Sequence, residues 1–307
     1  MPRQKHQAIT VLMPTRNGAR FLAAQLASLA AQTRLPRALI LSDDGSQDQT
    51  CQIATAFARD APFPVRILCG PERGLTANAL RLLQAAPAGP LAWSDQDDVW
   101  LPDRLARGAE ALAGLPAHRP VIAAAARIVT DVKLVPRGVV RPTRSADFAT
   151  VLVQNPAAGN TILMNAAAAD LARAAASDTT RLAPFPDWWL CQIVLGAGGT
   201  VILDPQPSVL YRQHGTNALG AARGLSAQLS RARRLFDGTF GDWLRQNIRV
   251  LFASRHRFAA RNRLILEQLD ADFANRRFRP GLQGMTRADL TGDVAFRLAA
   301  RLGCLYA

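Results

Sequence analysis

Little in this sequence marks it as secreted, membrane-spanning or redox-active. Its 307 residues hold four cysteines, Cys51, Cys69, Cys191 and Cys304. They are scattered, with no C-x-x-C pair and no histidine spaced to complete a zinc site. Isolated cysteines of this kind usually serve as small buried hydrophobes, and a reducing, cytoplasmic setting is expected. The first nine residues carry charge and run straight into a strand-like stretch, so no secretory leader is expected. No apolar run reaches the roughly 18 residues that a membrane-spanning helix needs. Ala157 to Ala176 comes closest, and Asn160, Asn165, Asp170 and Arg173 break it. No G-x-G-x-x-G follows the first strand, which excludes a dinucleotide-binding dehydrogenase.

What is present is a globular composition, 49% hydrophobic and 20% charged, enough for one large core or a core with an appendage. The formal charge is +14. Much of it lies at one end: residues 221–307 carry sixteen Arg and no Lys against seven Asp or Glu, a local +9. Such charge attracts polyanions, whether nucleic acid, anionic lipid or phosphorylated small molecules.

Apolar periodicity sets out an alternating α/β pattern. Strands are predicted at Ala8 to Met13, Ala38 to Leu41, Val65 to Cys69 and Leu91 to Trp93. Helices are predicted between them at Phe21 to Gln32, Thr50 to Arg59 and Thr76 to Ala86. This is the signature of a Rossmann-like, mostly parallel sheet covered on both faces. Further on, strands are expected at Val121 to Val129 and Thr161 to Met164, with a helix at Asp187 to Leu195. A short strand at Thr200 to Leu203 would be closed by Pro205 and Pro207. Beyond residue 220 the pattern is of amphipathic, Arg-rich helices, Leu225 to Phe236 and Phe240 to Leu269. The expected organisation is a catalytic domain over residues 1–220 and a helical extension over 221–307.

In a parallel sheet, ligands gather outside the carboxyl ends of the strands. Three polar loops lie there: Pro14 to Gly18, Ser42 to Ser46 and Ser94 to Asp98. In Asp95-Gln96-Asp97, two carboxylates two residues apart on a turn can face one hard cation, magnesium or manganese, and bridge it to a diphosphate. Acidic turns are commonly no more than solvated surface, so position at a strand end is what gives this one weight. In Ser42-Asp43-Asp44-Gly45-Ser46, Asp-Gly is a turn signal, and Ser46 or Asp48 suits a helix cap. Neither role needs two adjacent aspartates, and a carboxylate there can accept the imide N–H of uracil or thymine.

The runs VLMPTRNG, LSDDGSQDQT and WSDQDDVWLPDRL, followed in order by GNTILMN, FPDWWL and ILDPQPSVLYRQHGTN, resemble the family 2 inverting glycosyltransferases of the GT-A fold, in particular rhamnosyltransferase-like members. The resemblance spans roughly residues 8 to 217. It implies that Pro14, Thr15 and Asn17 line a nucleotide pocket, where Arg16 could stack on the base or meet phosphate, and that Asp44 contacts the pyrimidine with Asp43 beside it. It further implies that Asp95 and Asp97 handle metal, ribose and diphosphate, with Asp98 a further acidic neighbour. Asp187 matches the general base. Inversion is a one-step displacement, so a carboxylate must take the acceptor hydroxyl proton as the bond forms. The sequence departs from the family at Arg16, where an aromatic residue is common, and at Glu72-Arg73-Gly74, where an Asn-x-Gly loop is common. Asn78, after that loop, is a candidate nucleotide contact. Arg212 is placed to hold a diphosphate bidentately and His214 to ligate the metal through a neutral imidazole. Trp188 and Trp189 suit either a sugar platform or the core.

The resemblance implies a dTDP- or UDP-sugar donor, rhamnose foremost, and a surface-glycan acceptor, often lipid-linked. The Arg-rich end would then rest on an anionic membrane surface from the cytoplasmic side, or simply be a solvated helical face. A nucleotidyltransferase on a similar fold would carry a Gly-rich basic loop after the first strand, and PTRNGARF is a poor match. A nucleic-acid-binding protein would interleave aromatics with the arginines. Phe236, Phe240 and Trp243 instead sit at helical spacing. Without a Q-x-x-R-W run or membrane spans, processive synthesis is not expected.

Overall fold

The computed structural model describes residues 8–142, 147–214, 225–280, 284–287 and 289–306. The first half follows the strand–helix alternation: β1 (Thr10–Thr15), α1 (Ala19–Ala30), β2 (Ala38–Asp43), α2 (Thr50–Asp60), β3 (Val65–Cys69), α3 (Leu75–Ala85) and β4 (Leu91–Trp93). These four strands pair parallel in the order β3-β2-β1-β4. The apolar runs of β1, β2 and β4 are buried on both faces, as parallel strands between helix layers must be, and the edge strand β3 is only partly buried.

The second half is less regular. It contains β5 (Val99–Trp100), α4 (Arg104–Ala113), β6 (Val121–Thr130), β7 (Pro136–Val140), α5 (Phe148–Val153), β8 (Leu163–Met164), α6 (Ala166–Ser177), α7 (Pro186–Gly196) and β9 (Thr200–Arg212). Among the described residues, nine strands form one sheet ordered β3-β2-β1-β4-β8-β6-β9-β5, with β7 on β6. The parallel reading holds for β1 to β4 and for β6 with β9. β8 runs antiparallel to both β4 and β6, which makes the sheet mixed.

Two sequence expectations are corrected. The last strand does not stop at Leu203; it continues through Pro205 and Pro207 to Arg212. Its ladder with β6 shifts register between Ala125 and Arg127, so both prolines fall where no regular ladder hydrogen bond is required. That continuation carries Tyr211 and Arg212 back to the acidic loop. The expected single helix from Phe240 to Leu269 is two, α9 (Thr239–Ala253) and α10 (Ala260–Ala274), parted by a tight turn at Arg255–Arg257. Phe258 draws the chain inward, edge-on to Phe148 at 5.4 Å and packed where a Cβ on Gly196 would collide with it.

Two apolar cores flank the sheet. One lies under α1, α2 and α4; the larger lies under α3, α5, α6 and α7. The helix α8 (Leu225–Phe236) forms as expected, and α11 (Leu290–Arg301) lies near the end of the chain. Phe240, Leu251, Leu266 and Phe296 join the larger core beside Trp188 and Leu190. The boundary expected at residue 220 falls outside the described residues.

Candidate active site

The carboxyl ends of β1, β2 and β4 open into a cleft of about 680 Å³. Of the expected residues, Pro14, Thr15, Arg16, Asp44, Asn78, Asp95, Asp97 and Asp187 line it. Asn17, Asp43, Arg212 and His214 stand behind that lining.

At the β2 end of the cleft, Asp43 and Asp44 make different contacts. The Asp43 carboxylate accepts from Thr15 Oγ1 at 2.9 Å and from the Ser46 hydroxyl and amide at 2.6 and 2.9 Å. Burial alone would push its carboxyl up, but these bonds, Ser46 first, hold it below the ordinary range. Asp44 turns the other way. Its two oxygens accept from the Glu72 and Gly74 amides at 2.6 and 2.8 Å, fastening the β3–α3 loop. Gly70 permits that approach, since a Cβ there would lie 2.7 Å from the Asp43 carbonyl oxygen. Asn78 is buried, and its amide donates to the Ser42 carbonyl at 2.8 Å. Its Oδ1 has no partner among the described residues.

The first loop is held by side chains from two others. Asn17 has left-handed backbone (φ 47°), and its Oδ1 accepts from the Gln47 amide at 2.8 Å. Asp48 accepts from the Thr50 amide, at the start of α2, and from Ala19, at the start of α1, each at 3.0 Å. Gln96, between the two D-x-D aspartates, pairs its amide with the backbone of Arg16, accepting at 3.0 Å and donating at 2.9 Å. Gly18 makes room for it: a Cβ there would stand 2.1 Å from Gln96 Oε1.

Asp95, Asp97 and Asp98 each bring a carboxylate oxygen within 4.8 Å of the others. An all-carboxylate set of this kind suits a hard divalent cation. Burial, then the charges of Asp98, Asp97 and Asp187, push the Asp95 carboxyl well above the ordinary range. Asp98 faces inward, accepting from Asn160 Nδ2 and from the Arg212 amide. Burial first, and the Asp97 charge second, push it up to about 7. Asp97 meets His214, Nε2 to Oδ2, at 2.7 Å. The His214 ring is stacked on Phe21 with centroids 4.9 Å apart. Arg212 spends Nε on the Asp97 carbonyl at 2.9 Å and one terminal nitrogen on the Val132 carbonyl at 2.6 Å, and lies over Phe21 at 4.7 Å.

Two arginines that sequence reasoning missed complete the acidic end. Arg127 lines the cleft with its guanidinium 4.2 Å above the Tyr211 ring, and its charge favours ionisation of Asp95 and Asp98. A lone arginine in the run VIAAAARIVT was the available signal. Arg104 is 1% exposed and sits behind the cluster, donating to the Asn160 and Trp93 carbonyls and stacking on Trp100 at 3.9 Å. Burial pushes it down to about 9, against the opposing pull of Asp98 and Asp95.

Across the cleft, Asp187 sits in the first turn of α7. One oxygen accepts from the Trp188 amide at 2.8 Å, the other from the Gly159 amide at 3.0 Å. Burial raises its carboxyl above the ordinary range, against those bonds and one from Asn155. Trp188 and Trp189 are both 3% exposed, and Trp188 Nε1 donates to the Val151 carbonyl at 2.6 Å. They are core, not sugar platforms.

Residues 10–157 match the family model for glycosyl transferase family 2. The chain is 24% identical over 244 residues to dTDP-rhamnosyl transferase RfbG of Shigella flexneri, covering 71% of this chain and 77% of that one. It is 27% identical over 151 residues, 48% of its length, to an uncharacterized glycosyltransferase of Nostoc sp., alr2836, and spans only 45% of that protein. Its fold is similar to that of S. aureus TarS 1-349 in complex with UDP-GlcNAc, with TM-score 0.52 and 15% identity, covering 91% of this chain and 93% of the other. It is also similar to the mannosyltransferase PcManGT from Pyrobaculum calidifontis in complex with GDP-Man and Mn2+, with TM-score 0.51 and 17% identity over 99% and 88% of the two chains. These structural neighbours have the GT-A fold. The strand-end aspartates, the sheet that presents them and the family match agree on a domain of the glycosyl transferase family 2 type over residues 10–157.

Proposed function

We propose that the protein transfers a sugar, with rhamnose foremost, from a pyrimidine nucleoside-diphosphate donor to a cell-surface glycan acceptor, by inverting displacement with Asp187 as general base. The observation that carries this is the arrangement of one cleft. An acidic trio lies at one side, a half-buried carboxylate at a helix N-terminus lies across from it, and the loops expected to face the nucleotide lie between. The family 2 match and the likeness to RfbG support the activity and the favoured sugar. A lipid-linked form of the acceptor fits the cytoplasmic setting expected of the sequence.

In this reading the pyrimidine rests on Pro14 and Thr15, with Asp44 as acceptor for its imide N–H and the unpartnered Asn78 Oδ1 as a further acceptor beside it. Arg16 and Asn17 flank that pocket, and Asp43 shapes it from behind. Asp95 and Asp97 would hold magnesium or manganese, and the ion would neutralise charge on the departing diphosphate. His214 meets Asp97 and is the imidazole that would ligate the metal beside it. Arg212 is occupied with backbone carbonyls, so the diphosphate contact expected of it passes to Arg127. Asp187 takes the acceptor proton. Its raised pKa is that of a stronger base than a solvated carboxylate, and the two amides that grip it fix its direction.

Calorimetry against UDP and dTDP, each with manganese and with EDTA, tests the reading. Metal-dependent binding of one nucleotide is expected, and the preferred base narrows the donor. Asp97→Ala should remove the metal dependence. No binding of either nucleotide to folded protein would sink the proposal.

A further inference from the structure

The helix α11 is amphipathic in an unusual way. One side, Phe296, Ala299 and Ala300, is buried in the larger core. The other presents Leu290, Val294, Leu298 and, at its cap, Leu302, which are 81, 57, 47 and 64% exposed. These positions are four apart, so the side chains form one stripe along the helix. A single exposed leucine is ordinary, but a continuous apolar stripe calls for a covering surface.

Charge indicates what covers it. Arg301 shares the exposed side of the stripe, and Arg297 borders it, paired with Asp293 at 2.7 Å. Where the stripe ends, Arg276, Arg279 and Arg301 surround a cleft with Leu302 and Tyr306. None of these three arginines has an acidic partner among the described residues. Residues 221–307 as a whole carry +9. Aliphatic groups beside unpaired arginines match the boundary of an anionic bilayer, where apolar side chains enter the acyl edge and guanidinium groups meet lipid phosphates. The stripe holds no aromatic residue on which a nucleic-acid base could stack.

We propose that α11 and the adjoining arginine cleft form the face by which this protein lies on an anionic lipid surface. That face is joined to the candidate base by packed rings. Phe296 meets Phe240 edge-on at 5.7 Å, and Phe240 stacks on Trp188 at 6.1 Å, next to Asp187. A bilayer on α11 therefore lies on the same packed body as the acceptor side of the cleft. This last link rests on the acceptor reading above, whereas the docking itself does not.

The test is co-sedimentation of the full chain with vesicles of phosphatidylcholine alone and of phosphatidylcholine mixed with phosphatidylglycerol. Binding to the anionic vesicles only, weakened by salt, is expected. Val294→Asp with Leu298→Asp should lower partitioning by about tenfold or more, because both charges would enter the acyl boundary. Both positions are exposed, so the variant should keep the wild-type melting temperature. Absence of wild-type binding to anionic vesicles would overturn the proposal, as would undiminished binding by the variant. So would a wild-type dimer that the same substitutions split, since the stripe would then cover a second copy. Vesicle binding by a protein that binds no nucleotide would leave this proposal standing and remove the transferase reading.

Discussion

The two halves of the sheet hold their site residues by different means. In the parallel half, the aspartates of β2 are gripped mainly by hydroxyls and backbone amides of neighbouring loops. Asp43 takes Ser46 and Thr15, and Asp44 takes the Glu72–Gly74 turn. In the mixed half, the acidic loop is met by groups far along the chain. Asn160 and the Arg212 amide hold Asp98, His214 holds Asp97, and Arg104 and Arg127 balance the charge. Parallel strands place their loops side by side by topology alone, so short polar turns are enough to shape this end of the cleft. An acidic cluster in low dielectric needs counter-charges, and those must come from wherever the fold can bring them. Arg104 joins the two halves, because it donates to Trp93 at the end of β4 and to Asn160 before β8.

Three substitutions probe that contrast, from the largest effect down. Asp187→Asn should lower kcat by about a thousandfold, the range of a lost general base, with donor affinity retained by the parallel half. A parallel loss of donor affinity, measured by calorimetry, would argue against the base role. In the wild type, the acid limb of kcat/KM should lie above the ordinary carboxylate value of about 4, because a base with a raised pKa gains activity only as pH climbs through that higher value. A limb at or below the ordinary value would remove Asp187 from that role.

Arg104→Met should cost about 3 kcal/mol of stability or more, since it leaves two buried carbonyls unpaired and strips a counter-charge from Asp98 and Asp95. Denaturant unfolding measures it. A loss under about 1 kcal/mol, the scale of a surface substitution, would mean that the halves do not depend on this side chain.

Gly18→Ala should have the smallest effect. Its Cβ displaces the Gln96 amide and breaks two bonds to Arg16, for about 1–2 kcal/mol and a several-fold weaker donor Kd. Wild-type affinity would show that the Gln96 clasp does not shape the pocket.

The legible part of the site follows from local pattern. Apolar runs ending in SDDGS and SDQDD placed five aspartates at strand ends before any contact was known. The run FPDWWL put Asp187 in the first turn of a helix. The continuation of β9 past two prolines was hidden, because whether a proline ends a strand depends on the register of its neighbour. The tryptophans beside Asp187 were open between platform and core, since their chemistry suits both and only burial separates them.

The sequence by itself determined the parallel half, its strand-end carboxylates, the helical, Arg-rich end and the resemblance that named the chemistry. Each is carried by short stretches, through side-chain periodicity of two or 3.6 and turn preferences. Tertiary structure alone decided which charges meet: Arg104 behind the aspartates and Arg127 in the cleft beside them, His214 on Asp97, Arg212 turned to carbonyls, and an apolar stripe left outward on α11. Such pairings join residues as far as 117 positions apart. Chain distance carries no information on separation in space, and the energy of a buried charge depends on all the groups that surround it.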